Sequence, residues 1–269
     1  MQSLLRIAVA LPLFFCASPL YGWTMNPIFP GASRPAEKPR FGEARKIKSP
    51  AGREIYLILN PTNPPSDAKG VALYFHGNGE VVEDLDYLLT YFRKARLALI
   101  LVEYPGYSHA PGSPSEKEIY QTALEAYDWA KKEFPNFPIV VAGWSLGSSV
   151  AAYIASERVV THLLMLSAMT SMKEVIQRLM PFVPDFLLKG NEFDTTRFLQ
   201  KVRAPVTLIH GERDDLVPFS MGQRLKEILG DRAKFISVRG ASHNDLFFLG
   251  APQIEGEILS ISGKNRGTN

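Results

Sequence analysis

Cysteine is almost absent: Cys16 is the single one in 269 residues. A chain with one cysteine closes no internal disulfide and builds no thiolate metal cluster. Histidine is scarce as well, at five residues. No H-x-x-x-H or carboxylate–histidine cluster occurs, so no metal site is expected. There is no G-x-G-x-x-G and no Walker-type loop, so no nucleotide cofactor is expected and the reading is of a protein without cofactors. Neither charge sign dominates. The 30 Lys+Arg against 27 Asp+Glu leave a net charge of +3, with no dense basic run, which argues against a nucleic-acid partner. Nor does any apolar run reach the roughly 20 residues that a membrane-spanning helix needs.

What is present is an ordinary globular balance, 46% hydrophobic and 21% charged, in a length that suits one large α/β domain. Residues 1–22 read as a signal peptide or N-terminal anchor: Arg6 precedes an apolar stretch at 7–17 that is interrupted only by Pro12. An exported protein, periplasmic or secreted, follows from that reading, and retention of the segment as a membrane anchor stays open. Residues 23–42 are rich in Pro, Gly and charge and read as a linker or arm. The folded domain is expected over 43–269.

Within it, strand-like runs at 44–49 and 54–59 flank a Pro50-Ala51-Gly52 turn. Short apolar runs then recur at 71–75, 97–102, 139–142, 162–166, 205–209 and 234–238. They alternate with helical spacing at 83–95, 115–134, 146–156 and 220–229. Ser115 with Glu118 forms a capping box at the start of the second helix. Wholly apolar strands alternating with amphipathic helices predict an α/β fold, a mostly parallel sheet covered on both faces. Residues 168–202 break the alternation with helical stretches and no clear strand, and predict a small helical cap.

The chemistry is carried by Gly143-Trp144-Ser145-Leu146-Gly147, between an apolar strand and a helix. G-x-S-x-G in that setting is a nucleophile elbow. The turn presents the Ser145 hydroxyl above the sheet edge, at a helix N-terminus that favours negative charge. A serine hydroxyl needs a base. His243 lies in Gly240-Ala241-Ser242-His243-Asn244-Asp245, just past the strand at 234–238. Asp214 lies in the loop after the strand at 205–209, with Asp215 as a competitor for the same role. Asp214 would fix the His243 tautomer, and His243 would take the Ser145 proton. Two backbone donors are expected for a tetrahedral oxyanion, from Leu146 and from Asn78 in His76-Gly77-Asn78-Gly79-Glu80. Glu103 ends a strand nearby. It is read as a loop-orienting residue, with replacement of Asp214 as the alternative.

These segments together, HGNGE at 76–80, EYPGYS at 103–108, GWSLGS at 143–148, HGERDDLVP at 210–218 and GASHND at 240–245, resemble the α/β-hydrolase superfamily. Within it they are similar to serine-aminopeptidase-like and lysophospholipase-like single-domain hydrolases, over roughly residues 71–249. The resemblance implies the α/β-hydrolase fold, a serine hydrolase activity and Asp214 as the acid. It also implies that His76, Gly77, Tyr104 and Trp144 line the substrate site. The apolar cap then implies a small-molecule or lipid-like acyl substrate, an ester or thioester. Contact of the cap or of the N-terminus with a membrane stays open. A peptidase using the same residues is the alternative, and a non-catalytic binding protein a more distant one.

Overall fold

The computed structural model describes residues 28–59 and 68–264. The segment read as a signal or anchor, with Cys16, lies outside the described residues. Eight strands form one sheet: β1 (Glu43–Lys48), β2 (Glu54–Leu59), β3 (Gly70–Phe75), β4 (Leu97–Val102), β5 (Ile139–Trp144), β6 (His162–Leu166), β7 (Val206–Gly211) and β8 (Ala233–Val238). Their spatial order is β1-β2-β4-β3-β5-β6-β7-β8. β2 runs antiparallel to both β1 and β4, and all other pairs are parallel. The expected α/β architecture is therefore present.

The helices are α1 (Leu88–Lys94), α2 (Glu116–Glu133), α3 (Leu146–Glu157), α4 (Met172–Leu179), α5 (Thr195–Leu199), α6 (Phe219–Leu229), α7 (Leu246–Leu249) and α8 (Ala251–Lys264). Alternate residues of each strand serve opposite faces. Leu73 and Phe75 pack with Ile119 of α2 and Val150 of α3, whereas Ala72 and Tyr74 pack with Phe92 of α1 and Ile258 of α8. Burial on both faces is why β3 and β4 contain no exposed residue and read as unbroken apolar runs. Among the described residues no helix is long and apolar enough to cross a membrane.

Three local differences from the sequence reading have tertiary causes. The helix expected over 83–95 is a 3-10 turn at Val82–Asp84 followed by α1. There the Val82 amide donates to the Glu103 carboxylate at 3.0 Å and Ser108 donates to Glu83 at 2.7 Å, so long-range contacts set the backbone. The Ser115 box is half formed: the Ser115 hydroxyl accepts the Glu118 amide at 3.2 Å, but the Glu118 carboxylate pairs with Arg53 instead of folding back. Helix α8, not assigned from sequence, covers the sheet with Ile254, Ile258 and Ile261 buried.

Between β6 and β7 the chain forms α4, a 3-10 turn at Asp185–Leu187 and α5, with no strand. Ser171 and Asp194 cap the two helices, accepting the amides of Glu174 and Arg197.

Strand order reverses direction around β3, which lies between β4 and β5. Loops leaving the carboxyl ends of strands at such a switch point diverge and leave a crevice. The loops after β3 and β5, residues 76–80 and 144–146, meet there.

Candidate active site

The crevice is built first by backbone. Ser145 has φ +54° and ψ −117°, a left-handed conformation that a non-glycine residue adopts only when its surroundings impose it. The surroundings are hydrogen-bonded: the Ser145 amide donates to the Leu166 carbonyl at 3.0 Å. The Ser145 carbonyl in turn accepts the Ser148 amide at 3.0 Å and the Ser148 hydroxyl at 2.6 Å. The flanking glycines are obligatory here. A Cβ on Gly147 would overlap the Phe75 carbonyl at the end of β3, and one on Gly143 would overlap the Gly147 carbonyl. The elbow therefore sits at the N-terminus of α3, whose dipole favours negative charge.

Two loops from the other half of the sheet bring the imidazole and carboxylate. His243 follows β8 and Asp214 follows β7, and both are buried. The His243 Nδ1 donates to Asp214 Oδ2 at 2.8 Å, which leaves Nε2 for proton transfer. Asp214 Oδ1 accepts the amides of Leu216 at 3.2 Å and Val217 at 2.8 Å. Burial by itself would raise the Asp214 pKa. Hydrogen bonds from His210 and His243 outweigh it and hold the carboxyl well below the ordinary carboxylate range. Asp215, by contrast, is exposed. His210, seen only as part of the HGERDD run, is buried on the same carboxylate. Its Nε2 donates to the Val217 carbonyl at 2.9 Å and lies 3.4 Å from Asp214 Oδ2.

Ser145 and His243 border one cavity of about 420 Å³, and no hydrogen bond joins them in this structure. Leu146 and Asn78 border it too, and among the described residues neither backbone amide has a hydrogen-bond acceptor. Two unengaged amides beside a strained serine are what an oxyanion site requires. Trp144 also borders the cavity, and its ring stacks on His243 with centroids 4.8 Å apart.

His76, Gly77 and Tyr104 do not line the cavity, contrary to the sequence reading. They lie behind the loop and shape it. His76 is fully buried, with Nε2 donating to Glu103 Oε1 at 2.7 Å and Nδ1 to the Gly77 carbonyl at 2.8 Å. Both ring nitrogens face acceptors, which suits the doubly protonated ring. Burial opposes that charge, and the Glu103 carboxylate more than offsets it, raising the His76 pKa. Glu103 is thus committed to this loop and to the amides of Val82 and Tyr104, not to His243. The Tyr104 hydroxyl donates to the His76 carbonyl at 2.7 Å. Gly77 lies under the Trp144 ring, which a Cβ would overlap, and its amide donates to Glu80 at 2.8 Å.

The arm contributes what sequence patterning missed. Ile28 and Pro30 form part of the cavity wall. The Gly31 amide donates to the Asn78 carbonyl at 3.1 Å, and the Asn78 side-chain amide donates to the Ile28 carbonyl at 2.7 Å. The Tyr107 hydroxyl reaches Asn78 Oδ1 at 2.8 Å. No periodicity marks these residues, because their role is to grip a loop distant in sequence. Much of the remaining wall is the inner side of α4, with Met172, Val175 and Ile176, joined by Met169, Leu216 and Val217, making the cavity predominantly apolar. No group of three or more His, Cys, Asp or Glu side chains among the described residues is placed to hold a metal ion.

No protein-family model matches the chain. An uncharacterized protein of Mycobacterium tuberculosis is 32% identical over 151 residues, 55% of this chain and 54% of its own length. The lysophosphatidylserine lipase ABHD12 of Mus musculus is 26% identical over 195 residues, 61% of this chain and 46% of its own. The chain thus spans about half the length of these curated relatives. Among solved structures, an esterase of Pyrococcus furiosus superposes with a TM-score of 0.69 at 14% identity, covering 82% of this chain and 89% of the esterase. The eight-stranded sheet with its antiparallel second strand and the likeness to this solved structure give the chain the α/β-hydrolase fold.

Proposed function

We propose that the chain is a serine hydrolase that cleaves a carboxylic ester or thioester with an apolar acyl part. The observation that carries this reading is the 2.8 Å bond from His243 Nδ1 to Asp214, with His243 and Ser145 on one cavity. Ser145 Oγ attacks the acyl carbonyl and its proton passes to His243 Nε2. The Leu146 and Asn78 amides hold the oxyanion. Collapse breaks the bond to the leaving oxygen or sulfur, which takes the proton from His243, and an acyl-enzyme remains. Water then attacks, deprotonated by the same nitrogen, and the acid leaves as Ser145 recovers its proton. The lipase and esterase names of its relatives support this class of reaction, and the apolar wall supports an acyl rather than a charged substrate.

A fluorophosphonate probe is expected to label the protein once, at Ser145, and Ser145→Ala is expected to abolish both labelling and hydrolysis of p-nitrophenyl esters. Labelling elsewhere would overturn the assignment. Preferential release of an N-terminal amino acid from short peptides would overturn the ester class.

The same reading gives the arm a catalytic consequence. In Gly31→Ala the new Cβ would overlap the Tyr107 ring and the Asn78 carbonyl. The grip on Asn78 would shift and its amide would leave the oxyanion position. Loss of one such donor costs on the order of 100-fold in kcat. The expected result is a fall approaching that size, with KM little changed and circular dichroism showing a folded protein. An unchanged kcat would remove Asn78 from the oxyanion site.

A further inference from the structure

Large apolar side chains scattered singly over a surface are ordinary; clusters are not. Among the described residues nine are exposed, and four of them fall within residues 179–187: Leu179 at 46%, Phe182 at 75%, Phe186 at 72% and Leu187 at 54%. Helix α4 explains the crowding. Its inner residues Met172, Val175 and Ile176 are used up on the cavity wall, and Pro181 and Pro184 break the chain beyond it. The tip then has nothing beneath it to cover these side chains. Leu179 belongs to both surfaces, since it borders the cavity and is nearly half exposed. Leu179 therefore joins the apolar tip to the cavity that Ser145 borders.

The charges around the tip are unequal. Residues 172–190 contain two carboxylates, and both are occupied, Asp185 by Lys173 and Glu174 by Arg224. Arg178 and Lys189 are exposed and form no ion pair among the described residues. Aromatic side chains flanked by uncompensated cations match the interfacial zone of a membrane whose lipids carry negative charge. The apolar run at 7–17 precedes Ile28 of the cavity wall by eleven residues, so a bilayer holding that run would lie within roughly 40 Å of the cavity.

We propose that the tip of the cap, residues 179–187, docks on an anionic lipid bilayer and passes a lipid acyl chain along Leu179 into the cavity. The docking rests on the surface alone; the use of the chain as substrate rests on the serine hydrolase reading. The substrate class is then a membrane-resident acyl ester.

The test uses the full chain with a reporter at the tip, Phe186→Trp. Its control is Val159→Trp, at an 88%-exposed position ahead of β6, at the opposite end of that strand from the cap. Each is mixed with phosphatidylcholine–phosphatidylglycerol vesicles carrying brominated acyl chains and compared with the parent protein. The expected result is a blue shift and added quenching for Phe186→Trp and neither for Val159→Trp. Arg178→Glu with Lys189→Glu is expected to weaken sedimentation with the same vesicles on the order of tenfold, and less with neutral vesicles. Equal quenching at both positions, or none at either, would overturn the docking. So would a blue shift of Phe186→Trp without vesicles in a protein that sediments as a dimer, since a second copy would then cover the tip. Hydrolysis of a soluble short-chain ester is read in parallel. Quenching without hydrolysis counts against the serine hydrolase reading alone, and hydrolysis without quenching counts against the docking alone.

Discussion

Asp214→Asn is expected to lower kcat by about ten-thousandfold while leaving the protein folded. The reason lies in which oxygen does what. Oδ1 accepts two backbone amides, from Leu216 and Val217, and those donors demand an oxygen. An asparagine would satisfy them with its carbonyl and so place its NH2 group where Oδ2 now meets His243 Nδ1 at 2.8 Å. Two donors would then face each other unless the imidazole moved its proton to Nε2. That tautomer cannot accept a proton from Ser145. His210 adds to the mismatch, because its Nε2–H also lies against the Oδ2 position. Asp215→Asn, at an exposed site, is expected to keep near-parental activity. Steady-state kinetics on a short ester, with circular dichroism as the folding check, decides the matter. A loss below tenfold for Asp214→Asn would mean that another group orients His243. Stability carries a second signature. The Asp214 pKa is depressed in the folded state, so its ionised form stabilises the protein above the unfolded carboxylate value and that contribution is lost as pH falls through the folded one. The melting-temperature gap between parent and Asp214→Asn is therefore expected to be widest near neutrality and to narrow below about pH 4.

Gly147→Ala is expected to be strongly destabilising. Helix propensity alone predicts the opposite, since alanine in a helix is favoured over glycine by about 1 kcal/mol. But Gly147 sits in the first turn of α3, pressed against the end of β3, where a Cβ would overlap the carbonyls of Phe75 and His76. Both are backbone, so neither can rotate away. Separating α3 from β3 would also disturb Ser145 and the 76–80 loop. A cost of about 3 kcal/mol or more is expected, which for a domain of this size lowers the melting temperature by about 10 °C. Gly256→Ala in α8 is the matched comparison. It is also helical, and its Cβ would meet nothing within 4 Å, so a gain of roughly 1 kcal/mol is expected there. Thermal melts of the two variants should move in opposite directions. Tolerance of Gly147→Ala would show that the elbow relaxes without its close approach to β3.

The loops of the candidate site are legible in the sequence because each lies just beyond a strand, and strand ends are marked by composition. Ser145 follows β5, Asp214 follows β7, His243 follows β8, and the structure brings the last two into hydrogen-bonding contact. The helix over 83–95 was misjudged at its start because Glu103 and Ser108, not local propensity, set the backbone at 82–84. His76, Gly77 and Tyr104 were placed on the substrate side because adjacency to a site in sequence says nothing about which way a side chain faces. Burial and the Glu103 carboxylate turn them inward.

Alternation of short apolar strands with amphipathic helices was enough, read alone, to determine the α/β class and the order of the eight strands. Period and polarity are local properties, and they survive without coordinates. Only the tertiary structure decided that Asp214 rather than Asp215 meets His243, that His210 shares its carboxylate, and that residues 28–31 hold Asn78 in place. Each of those depends on which groups meet across long stretches of chain, where a difference of one residue separates a buried, hydrogen-bonded carboxylate from an exposed one.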